Sequence, residues 1–413
     1  MMRKLLIMTA VAVLSLASCN KDDETIPESD LIPRADFTLT KAQAAFVQAN
    51  NGFALDLFGR VSRAGQGKSL LLSPLSITLD FGMVNNGAVG KTQQEIYETL
   101  GFQEGSVDAL NEFCHTMMVQ SAAVDPSTTL ELANAAVVNK RYPGLKDSFT
   151  KTIRQVYDAE VIYKDFGKEN IQKLVNDWCK TKTHGMIPEL LADPVDPNEY
   201  AHFLNAVYFK GIWSSKFKKE NSRKEDFVKE NGSSIKVNMM HQVAHFNYAE
   251  IPGVCSAVRL PYGNQAYNMT LLLPSAGKTL KDLVAALDLK TWQGLRLSDC
   301  EVDVKLPSFE TSYFVSLAGI LQEMGIVTAF SGAANFSALS SASGLYIGDV
   351  LHKAAIKVDE SGSEAAAVTD IVMKTNSAQP PKTVQFYANK PFLYVISEIS
   401  TGAIFFMGQY TGE

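Results

Sequence analysis

The chain has 413 residues, of which 46% are hydrophobic, and its mean hydropathy is −0.02, so it can bury a large core. Its formal net charge of −6 disfavours nucleic-acid binding, because a phosphate backbone requires a basic protein face. No repeat, low-complexity block or internal linker interrupts residues 37–413. This stretch is therefore predicted to form one domain of mixed helix and sheet.

The first residues are typical of a secretory signal. Arg3 and Lys4 precede an apolar run, Leu5–Leu16, that is too short to span a membrane, so residues 1–18 are predicted to be a signal peptide. The run ends in Leu-Ala-Ser-Cys19, which resembles a bacterial lipobox, and this implies that Cys19 becomes the acylated first residue. Removing the signal leaves 36 basic and 44 acidic side chains, a net charge of −8.

Residues 19–36 are predicted to be the lipidated cysteine and a tether. The acidic stretch at 20–24 is similar to the surface-export signal of some bacterial lipoproteins, and the alternative is an ordinary solvated tether. The lipobox implies a lipid-anchored protein of the bacterial cell envelope, in the outer membrane, and the acidic stretch adds surface exposure as an expectation. The membrane is contacted through the lipid alone.

Four further cysteines are too few and too widely spaced for a disulfide scaffold of this size. They are Cys114, Cys179, Cys255 and Cys300. We expect mostly buried free thiols.

Hydrophobic spacing predicts a first helix over 37–61. Ser73 before Pro74 predicts the start of a second helix, and Thr92 with Glu95 forms a capping-box pattern for a third that ends near Gly101. The further predicted helices span 148–157 and 169–182. The predicted strands span 130–138, 201–209, 235–240, 257–260, 267–273, 302–309, 353–358, 384–387, 392–399 and 403–409.

Residues 359–382 contain no aromatic side chain, and a loop of this length inside a compact domain is usually functional or disordered. When alternate residues are compared, one set of positions carries small or apolar side chains and the other set carries the charged ones. The first set is Ser363, Ala365, Ala367, Thr369, Ile371 and Met373; the second includes Glu364, Asp370 and Lys374. The loop is therefore predicted to be a latent strand rather than a flexible linker.

Small side chains would let such a segment slide between packed strands without overpacking, and Gly362 would supply backbone freedom. The stretch Glu360-Ser-Gly-Ser-Glu-Ala-Ala-Ala-Val-Thr369 resembles the hinge of inhibitory serpins. The resemblance extends over 37–413 through Ser73-Pro-Leu-Ser76, Asn205-Ala-Val-Tyr-Phe-Lys-Gly-Ile-Trp213, Gly348-Asp-Val-Leu-His-Lys-Ala354 and Ala403-Ile-Phe-Phe-Met-Gly408.

The resemblance implies an α+β serpin fold: a single large domain with about nine helices packed on three β-sheets and an exposed reactive-centre loop at about 360–382. It implies a hinge formed by Glu360, Gly362, Ser363, Glu364, Ala365, Ala366 and Ala367. It also implies a hydrogen-bonded cluster beneath the sheet, called the shutter, formed by Ser73, Ser76, Asn205 and His352. Trp213 is either plain core or part of the site where the loop inserts.

The implied function is inhibition of a serine protease, with papain-like cysteine proteases as a further target class. The protease cleaves the loop, forms an acyl-enzyme and is trapped as a covalent complex when the loop inserts into the sheet. The family register from Glu360 places the scissile bond at Asn376-Ser377. Lys374-Thr375 is the alternative for a trypsin-like enzyme.

One departure from the family is Ser308, where many relatives carry a lysine that pairs with the residue matching Glu360, so insertion could be looser here. The resemblance implies a monomer that is not an enzyme, with no cofactor and no metal. No Gly-x-Ser-x-Gly elbow or metalloprotease motif is present. A serpin fold that serves as a non-inhibitory binding module and is cleaved as a substrate remains the alternative.

Overall fold

The computed structural model describes residues 33–65, 67–102, 106–363 and 383–412. The predicted signal peptide, Cys19, most of the predicted tether and loop residues 364–382 lie outside this set. The helices are α1 (Lys41–Ala64), α2 (Pro74–Asn85), α3 (Lys91–Thr99), α4 (Val107–Ser121), α5 (Asp147–Tyr157), α6 (Ile171–Lys182), α7 (Leu280–Ala286), α8 (Leu289–Gln293) and α9 (Ala318–Met324). The expectation of about nine helices is thus met by the described residues.

The strands occur in runs of different length between these helices. They are β1 (Leu70–Leu72), β2 (Thr129–Asn139), β3 (Glu160–Lys164), β4 (Ala201–Ile212), β5 (Arg223–Val228), β6 (Ser234–Ile251), β7 (Cys255–Pro261), β8 (Tyr267–Pro274), β9 (Ser298–Pro307), β10 (Phe309–Ser316), β11 (Leu351–Asp359), β12 (Gly362–Ser363), β13 (Val384–Tyr387), β14 (Phe392–Glu398) and β15 (Ile404–Tyr410).

These strands form two hydrogen-bonded sheets. The six-stranded sheet has the order β10-β11-β12-β4-β2-β3, and the nine-stranded sheet has the order β1-β15-β14-β8-β7-β6-β9-β13, with β5 beside β6. The third sheet of the sequence-based expectation is continuous with the second, because β6 pairs with β5 over its first part, with β9 over its middle and with β7 over its end.

Helix α2 lies between the two sheets, where it contacts β4 of one and β15 of the other. Ten of its twelve residues are buried, as expected of a helix covered on all sides. As predicted, the Ser73 hydroxyl caps α2 by accepting the Ser76 N–H at 3.3 Å, with Pro74 in the first turn. Strands β14 and β15 are buried throughout, so both of their faces are covered.

The six-stranded sheet is covered on both faces. Along β2, Ala136 and Val138 belong to the main core, whereas Ala135 and Val137 belong to a second core that includes Val175 of α6. Successive side chains point to opposite faces of a strand, so one strand contributes to two cores.

The predicted capping box at Thr92 and Glu95 is wrong. Helix α3 begins after Gly90 without a side-chain cap, and both predicted residues bind another segment. The Thr92 hydroxyl accepts the N–H of Asn335 at 2.9 Å, and the Glu95 carboxylate accepts the N–H of Thr328 at 2.5 Å. The pattern marked a tertiary contact instead of a helix cap.

The predicted strand 302–309 is also wrong as a single element. It is divided after Pro307 into β9, in the nine-stranded sheet, and β10, in the six-stranded sheet. The other predicted strands are present, 384–387 with the predicted bounds and the rest with shifted ends, whereas α4, α7, α8 and α9 were not predicted from the sequence. As expected, Cys114, Cys179 and Cys255 are buried free thiols, and Cys300 is half-buried.

Candidate functional site: the opening in the six-stranded sheet

The predicted loop begins inside the six-stranded sheet. The two residues of β12 pair antiparallel with β11 on one side, Ser363 opposite Val358, and with β4 on the other, Ser363 opposite Gly211. Across the described residues, β11 and β4 are not joined by any direct ladder. The start of the loop therefore occupies a strand position between the two central strands.

Gly362 meets a requirement that is specific to this position. Its φ is 147°, and a Cβ built on it would lie 2.1 Å from the carbonyl oxygen of Gly211. Only a residue without a side chain can adopt this conformation so close to a neighbouring strand.

Ser363 is buried, and its hydroxyl lies 2.7 Å from the hydroxyl of Tyr262. Burial raises the pKa of Tyr262 above its usual range, so the phenol stays neutral. The Tyr262 ring stacks on Trp213 with a centroid distance of 4.4 Å and an interplanar angle of 11°. The first inserted side chain thus contacts an aromatic pair.

Trp213 lies in the core and also contacts the backbone at the start of the loop. Its side chain is 1% exposed, and its indole Nε1–H donates to the carbonyl of Asp359 at 2.9 Å. Its backbone N–H donates to the carbonyl of Ser361 at 2.9 Å, and that of Phe217 donates to the carbonyl of Glu360 at 3.1 Å. These bonds fix the backbone where the chain turns from β11 into β12.

The Glu360 side chain is held by two residues that sequence reasoning missed. Its Oε1 accepts the Ser222 hydroxyl at 2.7 Å and the Asn238 amide at 2.9 Å. Burial acts to raise the pKa of Glu360, but the donated hydrogen bonds, with that of Ser222 the strongest, outweigh it, so the pKa is lowered. The carboxylate is therefore ionised at neutral pH.

Ser308 lies beside this pair. Its hydroxyl accepts a second hydrogen bond from the Asn238 side-chain amide at 3.3 Å. Its backbone N–H donates to the backbone carbonyl of Asn238 at 2.8 Å. No pattern in the sequence marks Ser222 or Asn238, because they lie 138 and 122 residues from Glu360.

The four predicted shutter residues lie along one chain of hydrogen bonds beneath the opening. The Ser73 N–H donates to His352 Nε2 at 3.1 Å, the Ser76 N–H donates to the Ser73 hydroxyl at 3.3 Å, and the Ser76 hydroxyl donates to Asn205 Oδ1. Asn134 was missed: its Oδ1 accepts the Asn205 amide at 2.8 Å.

The imidazole ring of His352 is uncharged in this chain of hydrogen bonds. Burial lowers its pKa from 6.5 to about 4. Because Nε2 accepts the Ser73 N–H, the ring proton is placed on Nδ1. The shutter therefore contains no formal charge on His352 at neutral pH.

Several predicted site residues fall outside the described residues. They are Cys19, the hinge residues Glu364, Ala365, Ala366 and Ala367, and the two candidate cleavage sites, Asn376-Ser377 and Lys374-Thr375. In the described part of the chain, no three His, Cys, Asp or Glu side chains are placed to hold a metal ion. No helix there is long and apolar enough to cross a bilayer.

A family model described as Serpin (serine protease inhibitor) matches residues 48–412, and the chain belongs to this family. Iripin-2 of Ixodes ricinus is 34% identical over 379 residues, which cover 89% of this chain and 93% of that protein. Two solved structures are each 26% identical to this chain, with a TM-score of 0.81. The match to human thyroxine-binding globulin covers 89% of this chain and 98% of that protein chain. The match to the thermophilic serpin Tengpin, in its native state, covers 92% of this chain and 97% of that one.

Proposed function

We propose that this chain inhibits serine proteases by a suicide-substrate mechanism in which the cleaved loop inserts into the six-stranded sheet. The observation that carries the proposal is the position of β12, whose residues Gly362 and Ser363 pair with both β4 and β11. Residues 364–382 follow directly, and their alternation of small and charged side chains suits a strand.

The chemistry begins as ordinary proteolysis. The hydroxyl of the protease serine attacks the loop carbonyl, an ester forms between the loop and the protease, and the new amine leaves with the proton. Water then completes hydrolysis unless insertion moves the protease first. Trapping therefore depends on the rate of insertion relative to the rate of deacylation.

Hydrogen bonds alone do not drive insertion. Each ladder bond contributes about 1 kcal/mol net, and ordering each residue costs about 1 to 2 kcal/mol, so these effects roughly cancel. Burial of side chains, as Ser363 shows at the start of the loop, and relief of strain in the sheet must supply the remainder. Serpin insertion is a standard example of strand addition and of released strain.

The target class depends on the cleaved bond. The family register counted from Glu360 places the scissile bond at Asn376-Ser377. A scissile bond at Lys374-Thr375 would suit a trypsin-like enzyme. We propose serine endopeptidases as the primary class and papain-like cysteine proteases as a second. Non-inhibitory binding, with the loop cleaved as a substrate, is the competing function, and the similarity to thyroxine-binding globulin favours testing it.

The experiment mixes purified protein with a panel of serine and papain-like proteases, followed by denaturing gels and N-terminal sequencing of the released peptide. A complex that survives denaturation, with a new terminus at Ser377 or Thr375, supports the trap and assigns the bond. Cleavage by every protease without any complex would overturn inhibition and favour the binding module. Neither proposal requires a cofactor.

We further propose that the mature protein is a monomer tethered to the bacterial envelope through lipid on Cys19. The support is the signal-like run before Leu-Ala-Ser-Cys19 and the acidic stretch that follows. In the native host, Cys19→Ala should shift the protein from the membrane fraction to the soluble fraction. Sensitivity to proteases added to intact cells would support surface exposure, and full resistance would contradict it.

A further inference from the structure

The Glu360 carboxylate joins the two sheets where the loop begins. Glu360 lies between β11 and β12 of the six-stranded sheet, whereas Asn238 belongs to β6 of the nine-stranded sheet. Ser222, which donates the shorter hydrogen bond, follows a short 3-10 turn just before β5. All three side chains are half-buried, so solvent competes only in part for these hydrogen bonds.

The Asn238 side chain has no spare donor. One N–H of its amide group is donated to Glu360 and the other to the Ser308 hydroxyl. The backbone of Asn238 is fixed as well, since its main-chain carbonyl accepts the Ser308 N–H at 2.8 Å. The amide is therefore aimed at the carboxylate by contacts on both sides.

Within the described part of the chain, Glu360 forms no ion pair with any lysine or arginine. The charge of Lys219 also lowers the pKa of Glu360, but it contributes less than the hydrogen bonds do. Neutral donors thus hold the charge. Unlike an exposed ion pair, such contacts are not screened by salt.

We propose that Asn238 is a positioning residue for loop insertion, because its amide fixes the Glu360 carboxylate and so aligns Gly362 and Ser363 between β4 and β11. This inference rests on the proposed inhibitory function. It predicts that Asn238 affects insertion without affecting the first cleavage of the loop, since the candidate scissile bonds lie 14 or more residues beyond Glu360.

The first test is Asn238→Ala, with Asn247→Ala as a matched control at an exposed position of the same strand. The measured quantity is the ratio of cleaved to covalently complexed inhibitor. Losing a hydrogen bond to a charged group should raise this ratio on the order of tenfold. The kcat/KM for loop cleavage should stay unchanged, and Asn247→Ala should match the wild type.

Two further variants separate positioning from general support of the fold. Asn238→Asp places a carboxylate against Glu360, so the ratio should rise at neutral pH and recover as acid protonates one of the two groups. Ser308→Lys in the Asn238→Ala background should restore trapping through an ion pair. That rescue should weaken between about 0.05 and 0.5 M salt, whereas the wild type should not change.

The inference would be overturned, with inhibition left intact, if two results occurred together. The ratio of cleaved to complexed inhibitor would equal that of the wild type in Asn238→Ala, and it would not change with pH in Asn238→Asp. If the wild type forms no complex with any protease, the proposed function fails, and the positioning role is then tested by fluorescence. Trp213 stacks on Tyr262 beside Ser363, so its emission should report insertion after the loop is cut. A slower change in Asn238→Ala supports positioning, and an unchanged rate refutes it.

Discussion

Acidification should lower the free energy of unfolding of this protein, because it protonates one buried histidine. His352 is 6% exposed, and its Nε2 accepts the backbone N–H of Ser73 at 3.1 Å. Protonation would turn this acceptor into a donor that faces another donor, inside a site from which solvent is largely excluded. The shutter should therefore lose its contact between β11 and the start of α2 when His352 becomes charged.

The size of the effect follows from the pKa of His352, which burial lowers from 6.5 to about 4. The unfolded chain binds a proton below about pH 6.5, but the folded chain binds it only below about pH 4, so stability falls as the pH falls through this window. Above pH 6.5 the group has no effect. The full loss should be about 3 kcal/mol.

The assay is urea unfolding at several pH values between about 7 and 4, comparing the wild type with His352→Gln. The glutamine oxygen can accept the Ser73 N–H but does not titrate in this range. Because all other groups are shared, the difference between the two free energies of unfolding isolates His352. A difference that stays constant across the window would refute the assignment of a neutral, buried histidine.

Gly362→Ala should abolish covalent complexes while the loop is still cleaved, because its Cβ would overlap the Gly211 carbonyl; normal trapping on denaturing gels would contradict this geometry. Asn205→Ala should lower the free energy of unfolding by about 1–3 kcal/mol, since it leaves the Ser76 hydroxyl without its acceptor. A urea midpoint equal to that of the wild type would refute it. Asn376→Arg should shift inhibition toward trypsin-like proteases, and an unchanged protease profile would count against this register.

Local sequence signals predicted several elements well. Ser73 before Pro74 marked the start of α2, because capping and the fixed φ of proline depend on neighbouring residues alone. Residues 384–387 were predicted as a strand with the bounds that the structure has. The signals failed where distant contacts decided the outcome, as at Thr92 and Glu95, which bind the segment at 328–335.

By itself, the sequence determined the family, through motifs such as Glu360–Thr369, and the alternation of small and charged side chains along the loop, because each depends on residue type and spacing along the chain. Only the tertiary structure decided that Ser222 and Asn238 hold Glu360, and that β6 joins two predicted sheets into one. The physical reason is sequence distance. A hydrogen bond between residues more than 100 positions apart leaves no local pattern, and it forms only when both sheets are in place.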